Sequence, residues 1–271
     1  ACMIEIFHDH PVSLSAGEVH LWILTNTLPW VEKYFDNGYV LLSTKEKKRI
    51  ANLKDPTVAR RFALGRILTR RVLAQYLNED PAAIAMHYNA NGKPEFDSPP
   101  ANVLSFNLSH SKSEMVLAIT RAPGIGIDIE SMDRKDAAHR IALRHFSACE
   151  IRDLIALGSQ APKRALILWT MKESIVKASG DTVWDGLDKL SLEIDTRHLA
   201  WRSPQIGKCT YYQLAVGNIG MEYVASCAVI SSRNQTNEPF IFRTYRLGNV
   251  SPPNFGFNPR IDAIKNQISE A

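Results

Sequence analysis

The stretch GIGIDIE, residues 124–130, places two carboxylates in an apolar run. Such a run is typical of a buried strand, in which alternate side chains share one face. Ile127 and Ile129 would then pack into the core, while Asp128 and Glu130 would project together from the opposite face. The pattern fits either a half-exposed strand with a solvated polar face or a paired-carboxylate site for a hard cation such as Mg²⁺.

The stretch WTMKESIVKASG, residues 169–180, has helical spacing. Trp169, Glu173 and Lys177 follow one another at intervals of four residues, so they share one face of the helix. Glu173 and Lys177 can be read as a surface ion pair worth a few tenths of a kcal/mol. Alternatively, Glu173 supplies a third metal carboxylate and Lys177 neutralises a phosphate oxygen.

Two further stretches carry polar groups suited to a phosphate. FNLSHSKSE supplies the hydroxyl and imidazole groups of Ser109, His110 and Ser111 on a predicted loop. In NGKPEF, Gly92 indicates a tight turn that would present Lys93. A Ser–His nucleophilic pair is the competing interpretation, but the chain has no G-x-S-x-G sequence around a serine.

The remaining periodicity predicts alternating strands and helices. Residues 43–78 are helical, with a Ser43–Glu46 capping box and a break at Asp55–Pro56. Helices are also expected over 137–157 and 163–178, and strands over 19–25, 115–120, KLSLEI, TYYQLAV and YVASCAVI. The order of strands and helices in residues 19–120 is roughly repeated in residues 124–230, which suggests two related halves.

Composition bounds the functional classes. With 271 residues, 45% of them hydrophobic, the chain can form one large domain or two small ones. A net charge of +4 does not argue for nucleic acid binding. The four scattered cysteines predict reduced thiols in the cytoplasm, and we expect neither a membrane span nor a signal peptide. The basic segment 45–71 is either a solvated helix face or a surface for an anionic ligand or an acidic protein.

Four motifs, FNLSHS, GIGIDIE, FSACE and WTMKESIVKASG, occur in an order and spacing that resemble the 4′-phosphopantetheinyl transferases of the larger, surfactin-synthetase-activating type. The resemblance extends over about residues 42–229. It implies an α+β fold in which two similar α+β halves form a pseudo-dimer within one monomeric chain. We accordingly divide the chain into an N-terminal half (1–123), a C-terminal half with the metal carboxylates (124–231) and a C-terminal extension (232–271).

The resemblance also implies an activity. Members of this family transfer the phosphopantetheine arm of coenzyme A to a serine of an apo acyl or peptidyl carrier protein and release adenosine 3′,5′-bisphosphate. By this resemblance, Asp128, Glu130 and Glu173 would hold Mg²⁺, or Mn²⁺ in its place. Lys177 would contact the phosphates and assist the leaving group. Glu150, in FSACE, would act as the general base or orient the carrier serine.

The coenzyme A contacts carry over in the same way. Ser109 and His110 resemble the phosphate contacts of an S-H-S turn, and Lys93 resembles the lysine of the G-K-P loop near the pyrophosphate. Arg49 and Arg61 correspond to basic residues near the 3′-phosphate. These assignments are implied by the resemblance alone.

The carrier proteins of this family are acidic, so the basic segment 45–71 would contact the 3′-phosphate, the carrier or both. Apolar residues around Phe146 and Leu154 either dock the carrier helix or belong to the core. Two other functions compete with the transferase: another metal-dependent phosphotransferase or hydrolase, and a non-enzymatic coenzyme A-binding module. Neither a P-loop nor a G-x-G-x-x-G sequence follows a predicted strand, which disfavours an ATPase or a dinucleotide-binding protein.

Overall fold

The computed structural model describes residues 12–89, 92–97, 104–180, 187–192, 198–202, 209–231 and 240–247. The first half contains β1 (Glu18–Thr25), α1 (Trp30–Gly38), α2 (Thr44–Asn52), α3 (Pro56–Leu77), β2 (Met86–Tyr88), β3 (Pro94–Phe96), β4 (Ser105–Ser111) and β5 (Glu114–Thr120). The second half contains β6 (Ile125–Ser131), α4 (Lys135–His145), α5 (Ala148–Ala156), α6 (Ala161–Ser179), β7 (His198–Arg202), β8 (Cys209–Ile219) and β9 (Tyr223–Ser231), and β10 (Ile241–Arg246) follows.

Each half is built on a four-stranded sheet. The first sheet has the order β10-β1-β5-β4, and the second has the order β6-β9-β8-β7. Neighbouring strands are antiparallel except for β10, which runs parallel to β1. Strands β2 and β3 form a separate hairpin. The prediction of an α+β protein with two similar halves is confirmed.

Three apolar clusters arrange these elements in four layers. One cluster packs α1 and α3 against the first sheet, and another packs α4, α5 and α6 against the second sheet. The third lies between the two sheets and joins the halves through side chains such as Leu21, Val116 and Val229. Ile127 and Ile129 are buried in this shared core, as the alternation of GIGIDIE predicts. Asp128 and Glu130 therefore face the opposite layer, which contains α6.

The capping predictions for the first half are confirmed. Ser43 and Glu46 form a reciprocal capping box at the start of α2. Asp55 caps α3 by accepting bonds from the backbone N–H groups of Thr57 and Val58, and Pro56 occupies the first turn. None of the helices in the described segments is both long and apolar enough to cross a bilayer.

The helical pattern predicted over 137–157 is confirmed, and the chain divides it into two helices, α4 and α5. Ser147 caps α5 with a second capping box that includes Glu150, and this signal in the sequence was overlooked. Phe146 and Leu154, on either side of this start, are 3% and 0% exposed. They belong to the core of the second half, so they do not form a docking surface.

Two further differences concern strands. Lys189–Leu192, part of the predicted strand KLSLEI, is not a strand. Conversely, β10 lies within the segment predicted as an extension, and it adds a strand to the first sheet. Its Tyr245 stacks on Trp22 with ring centroids 4.6 Å apart, and the Arg243 Nε donates to a Glu18 carboxylate oxygen at 2.6 Å. This strand depends on contacts with residues more than 200 positions away, which local periodicity cannot reveal.

Candidate active site

The two halves meet where β4 runs beside β6. Polar side chains of β4 accept hydrogen bonds from backbone N–H groups of β6 and so replace the backbone ladder of a continuous sheet. The bonds run from the amides of Ile127, Ile129 and Ser131 to the side chains of Asn107, Ser109 and Ser111, at 2.9, 3.3 and 3.0 Å. This polar alternation on β4 therefore fixes the position of β6, which carries two of the candidate carboxylates.

The S-H-S segment was predicted as a turn or loop, and this is wrong: it is the end of strand β4. Its residues therefore divide between two faces of the strand. Ser109 donates to the Asp128 Oδ1 at 3.1 Å, and Ser111 donates to the Glu130 Oε2 at 3.0 Å. His110 lies on the other face, at the surface. The sequence signal that could have shown this is N-x-S-x-S, which has the period of a strand.

Three carboxylates come together between β6 and α6. Asp128 and Glu130 come from the strand, and Glu173 comes from the helix. They are 5%, 9% and 8% exposed, so all three are largely removed from solvent. Burial raises the pKa of Glu130 and of Glu173, and the negative charge of Asp128 adds to the rise in both.

Gly126 allows helix α6 to approach strand β6 closely. A Cβ atom at this position would lie 2.0 Å from the Ser174 carbonyl oxygen and 2.5 Å from the Ala178 backbone nitrogen. Because both contacts are with backbone atoms, no side-chain rotation can relieve them. A glycine here lets α6 pack directly on the backbone of β6, and this packing places Glu173 beside Asp128.

Lys177 provides the nearest positive charge. Its Nζ lies 2.6 Å from the Asp128 Oδ1 and 3.3 Å from the Ser109 Oγ, and its side chain is 28% exposed. Burial lowers the pKa of Lys177, but the negative charges of Asp128 and Glu173 outweigh it and raise the pKa overall. The lysine is therefore a fixed cation that solvent and a ligand can reach.

The cluster nevertheless has more negative charge than its neighbours compensate. Burial raises the pKa of Glu173 to about 7; Lys177 opposes the rise, and Asp128 and Glu130 add to it. Burial and the charge of Asp128 likewise raise the pKa of Glu130. The Asp128 Oδ2 is buried and has no hydrogen-bond partner. A buried carboxylate oxygen without a hydrogen-bond partner lies here beside two carboxyl groups with raised pKa values. A bound cation would stabilise such an arrangement.

The donor chemistry fits a hard divalent cation. Carboxylate oxygens are the ligands that Mg²⁺ prefers, and it usually takes few of them together with water and phosphate oxygens. Within the described residues, no three His, Cys, Asp or Glu side chains are arranged to hold a metal ion as they stand. In this arrangement Lys177 neutralises Asp128, so metal binding requires a shift of side chains.

His110 and Arg61 lie together on the α3 side of β4. Desolvation lowers the pKa of the His110 imidazole, and the positive charges of Arg61 and Lys177 lower it further. A neutral imidazole flanked by cations can donate one hydrogen bond to an anionic ligand. This arrangement agrees with the phosphate role predicted for both residues.

Lys93 makes contacts that the sequence did not predict. It follows Gly92, whose φ of +79° confirms the tight turn. The Lys93 Nζ donates to the Lys177 carbonyl oxygen at 2.7 Å and to the Ile125 carbonyl oxygen at 3.2 Å. Burial lowers its pKa to about 8. Lys93 thus links the β2–β3 hairpin to α6 and β6 and does not contact the carboxylates.

Arg49 belongs to a cluster of cations and aromatic rings. Its guanidinium lies 4.8 Å from the centroid of Phe62 and 4.7 Å from that of Tyr88. Arg66 lies 5.7 Å from the same two rings and is only 6% exposed. Its Nε has no hydrogen-bond partner. Two neighbouring guanidinium groups on aromatic faces favour an anion. Sequence reasoning did not single out Arg66, because it was one of many basic residues in segment 45–71.

The carboxylate of Glu46 lies next to this cluster but binds other groups. Besides capping α2, it forms a buried ion pair with Arg70, whose Nη2 lies 2.9 Å from the Glu46 Oε2. Arg70 also donates to the carbonyl oxygens of Pro81 and Ile84. Glu46 therefore fixes the position of α2, and with it that of Arg49.

Glu150 lies outside the carboxylate cluster in a buried ion pair with Lys172. The Lys172 Nζ is 2.9 Å from the Glu150 Oε2, and the two side chains are 0% and 2% exposed. Glu150 also accepts bonds from Ser147 and from the Leu192 backbone N–H. To accept a proton from a substrate, Glu150 would have to give up these bonds, so its contacts favour a structural role over that of a base.

Two family models match the two halves. Residues 124–228 match the 4′-phosphopantetheinyl transferase superfamily, and residues 29–121 match the N-terminal part of 4′-phosphopantetheinyl transferases. The chain belongs to the 4′-phosphopantetheinyl transferase family, and the protein is a transferase.

Its similarity to individual members is moderate and covers most of their length. The chain is 32% identical to the 4′-phosphopantetheinyl transferase HetI of Nostoc sp., over 64% of this chain and 73% of that protein. It is 33% identical to a 4′-phosphopantetheinyl transferase of Bacillus subtilis, over 62% of this chain and 74% of that protein. It is also 32% identical to the 4′-phosphopantetheinyl transferase Sfp of Bacillus subtilis strain 168, over 56% and 66% of the two chains.

Proposed function

We propose that this transferase moves the 4′-phosphopantetheine group of coenzyme A to a serine hydroxyl of an apo acyl or peptidyl carrier protein. The reaction breaks the bond between the β-phosphorus and the bridging oxygen of the pyrophosphate and forms a bond from that phosphorus to the serine oxygen. Adenosine 3′,5′-bisphosphate leaves with the bridging oxygen, and the serine hydroxyl releases its proton to solvent. The observation that supports this most directly is the cluster of Asp128, Glu130 and Glu173 beside Lys177.

The protein's own residues would act mainly by charge and position, as phosphoryl transfer requires. Lys177 would move its ammonium group from Asp128 to the pyrophosphate and neutralise negative charge that develops on the leaving phosphate. Ser109 and Ser111 would hold the carboxylates of Asp128 and Glu130 in place through the bonds they already donate. Asp128, Glu130 and Glu173 would hold Mg²⁺, or Mn²⁺ in its place, which supplies further positive charge to the diphosphate.

Coenzyme A would lie along the first half. We propose that Arg49, with Arg66 beside it, and Arg61 bind the 3′-phosphate, and that His110 contacts the neighbouring phosphates. Lys93 would act near the pyrophosphate through the backbone of its turn, because its ammonium group is already bound to two carbonyl oxygens. Each half contributes to the site, so one chain contains all of it and a monomer is sufficient. The free thiols of Cys149 and Cys227 support a reducing compartment such as the cytoplasm.

The test is mass spectrometry of the acceptor. The protein is incubated with coenzyme A, Mg²⁺ and an apo carrier protein. We expect the carrier to gain one phosphopantetheine group and the gain to stop when the carrier serine is replaced by alanine. A chelator should prevent the transfer, and excess Mg²⁺ should restore it.

Two other outcomes would contradict the proposal. Release of adenosine 3′,5′-bisphosphate without labelling of the carrier would indicate a hydrolase. Binding of coenzyme A without any turnover would indicate a binding module.

A further inference from the structure

The β2–β3 hairpin belongs to the first half of the chain, but it contacts both parts of the candidate site. Tyr88, the last residue of β2, packs against Arg49 and Arg66, whose Cζ atoms lie 4.7 and 5.7 Å from the centroid of its ring. Lys93, just before β3, donates from its Nζ to carbonyl oxygens of α6 and β6. The hairpin therefore connects a group of cations and aromatic rings with the two elements that carry the carboxylates.

We call Arg49, Phe62, Arg66 and Tyr88 the cation–aromatic cluster. Two of its polar atoms, the Arg66 Nε and the Tyr88 hydroxyl oxygen, are buried and have no hydrogen-bond partner. Arg66 is 6% exposed, so its guanidinium is largely removed from solvent. Both groups are donors, and a phosphate oxygen can accept from each of them. A phosphate bound here would therefore contact α3 through Arg66 and the hairpin through Tyr88.

Hydrogen bonds within the hairpin hold Tyr88 and Lys93 in a fixed relation. Asn89, the residue after Tyr88, accepts the Lys93 backbone N–H on its Oδ1 at 3.0 Å and donates its own backbone N–H to the Lys93 carbonyl oxygen at 2.9 Å. The Asn89 side-chain amide also donates to a Glu95 carboxylate oxygen at 2.9 Å, and Tyr88 pairs with Pro94 across the two strands. A displacement of Tyr88 would therefore move Lys93 as well.

Lys93 holds the carboxyl end of α6 against the start of β6. Its Nζ donates to the carbonyl oxygen of Lys177, in the last turn of α6, at 2.7 Å and to that of Ile125, the first residue of β6, at 3.2 Å. Carbonyl groups in the last turn of a helix lack partners within the helix, and its dipole favours a cation there. Glu173 lies one turn before Lys177, so the positions of both side chains depend on this contact.

We propose that Lys93 is a positioning residue, which couples binding of the 3′-phosphate of coenzyme A at the cation–aromatic cluster to the position of α6. This inference rests on the proposed function. The bound 3′-phosphate fixes Tyr88, the hairpin presents Lys93 to α6, and Glu173 and Lys177 are held beside Asp128. Binding energy from a remote group of the substrate is thereby used to raise kcat. Lys93 acts here through the backbone of α6, without contacting a phosphate.

The first test compares coenzyme A with 3′-dephospho-coenzyme A as donors, at a saturating concentration of apo carrier protein. In the wild type, loss of the 3′-phosphate should lower kcat about tenfold, besides raising the KM for the donor. In Lys93→Met, kcat with coenzyme A should fall by a similar factor, and loss of the 3′-phosphate should lower it little further. The effect of the 3′-phosphate on KM should remain, because Arg49 and Arg66 are unchanged. Lys33→Met, which replaces an exposed lysine on α1, should match the wild type.

Lys93→Gln separates hydrogen bonding to α6 from direct contact with a phosphate. Glutamine keeps N–H donors for a carbonyl oxygen but has no charge to neutralise a phosphate. This variant should therefore keep more of kcat than Lys93→Met, and melting temperatures of both variants identify any loss of folded protein. An equal rise in the KM for both donors in the two variants, with kcat unchanged, would show a direct phosphate contact and overturn the inference. Additive effects of Lys93→Met and the missing 3′-phosphate on kcat would also overturn it.

Hydrogen exchange measures the coupling without the transfer reaction. Adenosine 3′,5′-bisphosphate should slow amide exchange at the carboxyl end of α6 more than adenosine 5′-monophosphate does, because only the first ligand carries a 3′-phosphate. This difference should disappear in Lys93→Met. Equal protection by the two ligands in the wild type would contradict the coupling. A wild type that shows the difference but transfers no phosphopantetheine would refute the proposed function and leave the coupling in place.

Discussion

Two of the three lysines of helix α6 pair with a carboxylate on a neighbouring element, and the two pairs differ in what surrounds them. Lys172 pairs with Glu150 on α5, where both side chains are fully buried. Its Nζ also binds the carbonyl oxygens of Leu187 and Leu190, so all three of its N–H bonds have acceptors. The Phe146 ring lies 4.5 Å from the same nitrogen.

Lys177, five residues later, pairs with Asp128, and the hydrogen bonding of this pair is incomplete. Its side chain is partly exposed, and the second oxygen of Asp128 has no hydrogen-bond partner. Glu130 and Glu173 stand nearby with raised pKa values. The pair is therefore electrostatically unbalanced and accessible.

This difference shows how a structural ion pair can be told from a functional one in this fold. Burial alone does not distinguish Glu150 from Glu173, since each is a buried glutamate near a lysine. The completeness of hydrogen bonding separates them. A satisfied pair holds elements together, whereas an unsatisfied pair has capacity for a ligand.

The largest effect is expected from the carboxylate cluster around the Lys177–Asp128 pair. Asp128→Ala and Glu173→Ala should each abolish phosphopantetheine transfer, because each removes one of the three carboxylates of the cluster. The free energy of unfolding in metal-free buffer should stay the same or rise, because fewer like charges are crowded together. Carrier mass spectrometry and urea unfolding measure the two quantities. Near-normal activity in either variant would show that the metal assignment is wrong.

The fully hydrogen-bonded pair of Lys172 and Glu150 should contribute to the stability of the fold. Lys172→Met should lower the free energy of unfolding by about 3–5 kcal/mol, because it leaves Glu150 buried without its partner. The double variant Lys172→Met/Glu150→Gln should recover part of this loss. The matched control is Lys177→Met, which should lose activity with a much smaller change in stability.

Urea unfolding and transfer rates of the three variants decide between the two roles. If Lys172→Met were as stable as the wild type, the distinction between the pairs would fail. If it kept its stability but lost activity, Glu150 would regain its predicted place in the chemistry.

A smaller change in stability is expected when the packing of α6 on Gly126 is disturbed. This packing brings Lys177 and Asp128 together. Gly126→Ala should cost about 1–3 kcal/mol, since its Cβ would overlap the backbone of α6. A shift of α6 relative to β6 should also lower kcat/KM, by about 10²-fold for a displacement of about 1 Å. Gly17→Ala is the control, because nothing lies within 4 Å of a Cβ at that position. Equal behaviour of the two variants would contradict the account of Gly126.

The smallest effect concerns another buried pair in the first half, in which the His20 Nε2 lies 3.6 Å from the Glu18 Oε2. His20 is 1% exposed, its Nδ1 lies 2.7 Å from the Tyr76 hydroxyl, and its Nε2 has no hydrogen-bond partner. Burial lowers the pKa of His20, and the charge of Glu18 opposes this only in part. Well above the ordinary histidine pKa of about 6.5, His20 is neutral in both the folded and the unfolded chain. As the pH falls below 6.5, the unfolded chain takes up the proton first, so stability should decrease.

Unfolding measured between about pH 7 and about pH 5.5 should therefore show a loss of stability that His20→Gln reduces. Glu18 should not interfere, because a backbone hydrogen bond from Ser15 and a bond from Arg243 lower its pKa to about 2. An identical pH dependence in the variant would assign the loss to other groups.

Much of the candidate site was predictable because its pattern is local. The strand period of GIGIDIE places Asp128 and Glu130 on one face, and the helix period of residues 169–180 places Glu173 and Lys177 on another. Each face carries at least one carboxylate within an apolar stretch of sequence. The resemblance to a family then predicted that these faces act together at one site, and in the structure Lys177 on α6 pairs with Asp128 on β6.

Other features could not be read in this way. Asn107, Ser109 and Ser111 form a polar row whose acceptors matter only because β6 lies beside it. Arg66 looks like a core position until Arg49 and the two aromatic rings are placed around it.

The order of residues alone decided where most strands and helices run and which side chains share a face, because backbone geometry repeats every two or 3.6 residues. Strand β10 is an exception, because it depends on pairing with β1. Folding in three dimensions decided which carboxylate would be satisfied and which would be left open. That distinction depends on partners supplied by distant segments, as Leu192 is for Glu150, and on the absence of a side chain at Gly126. Hydrogen-bond completeness is a property of the assembled neighbourhood, and no local period encodes it.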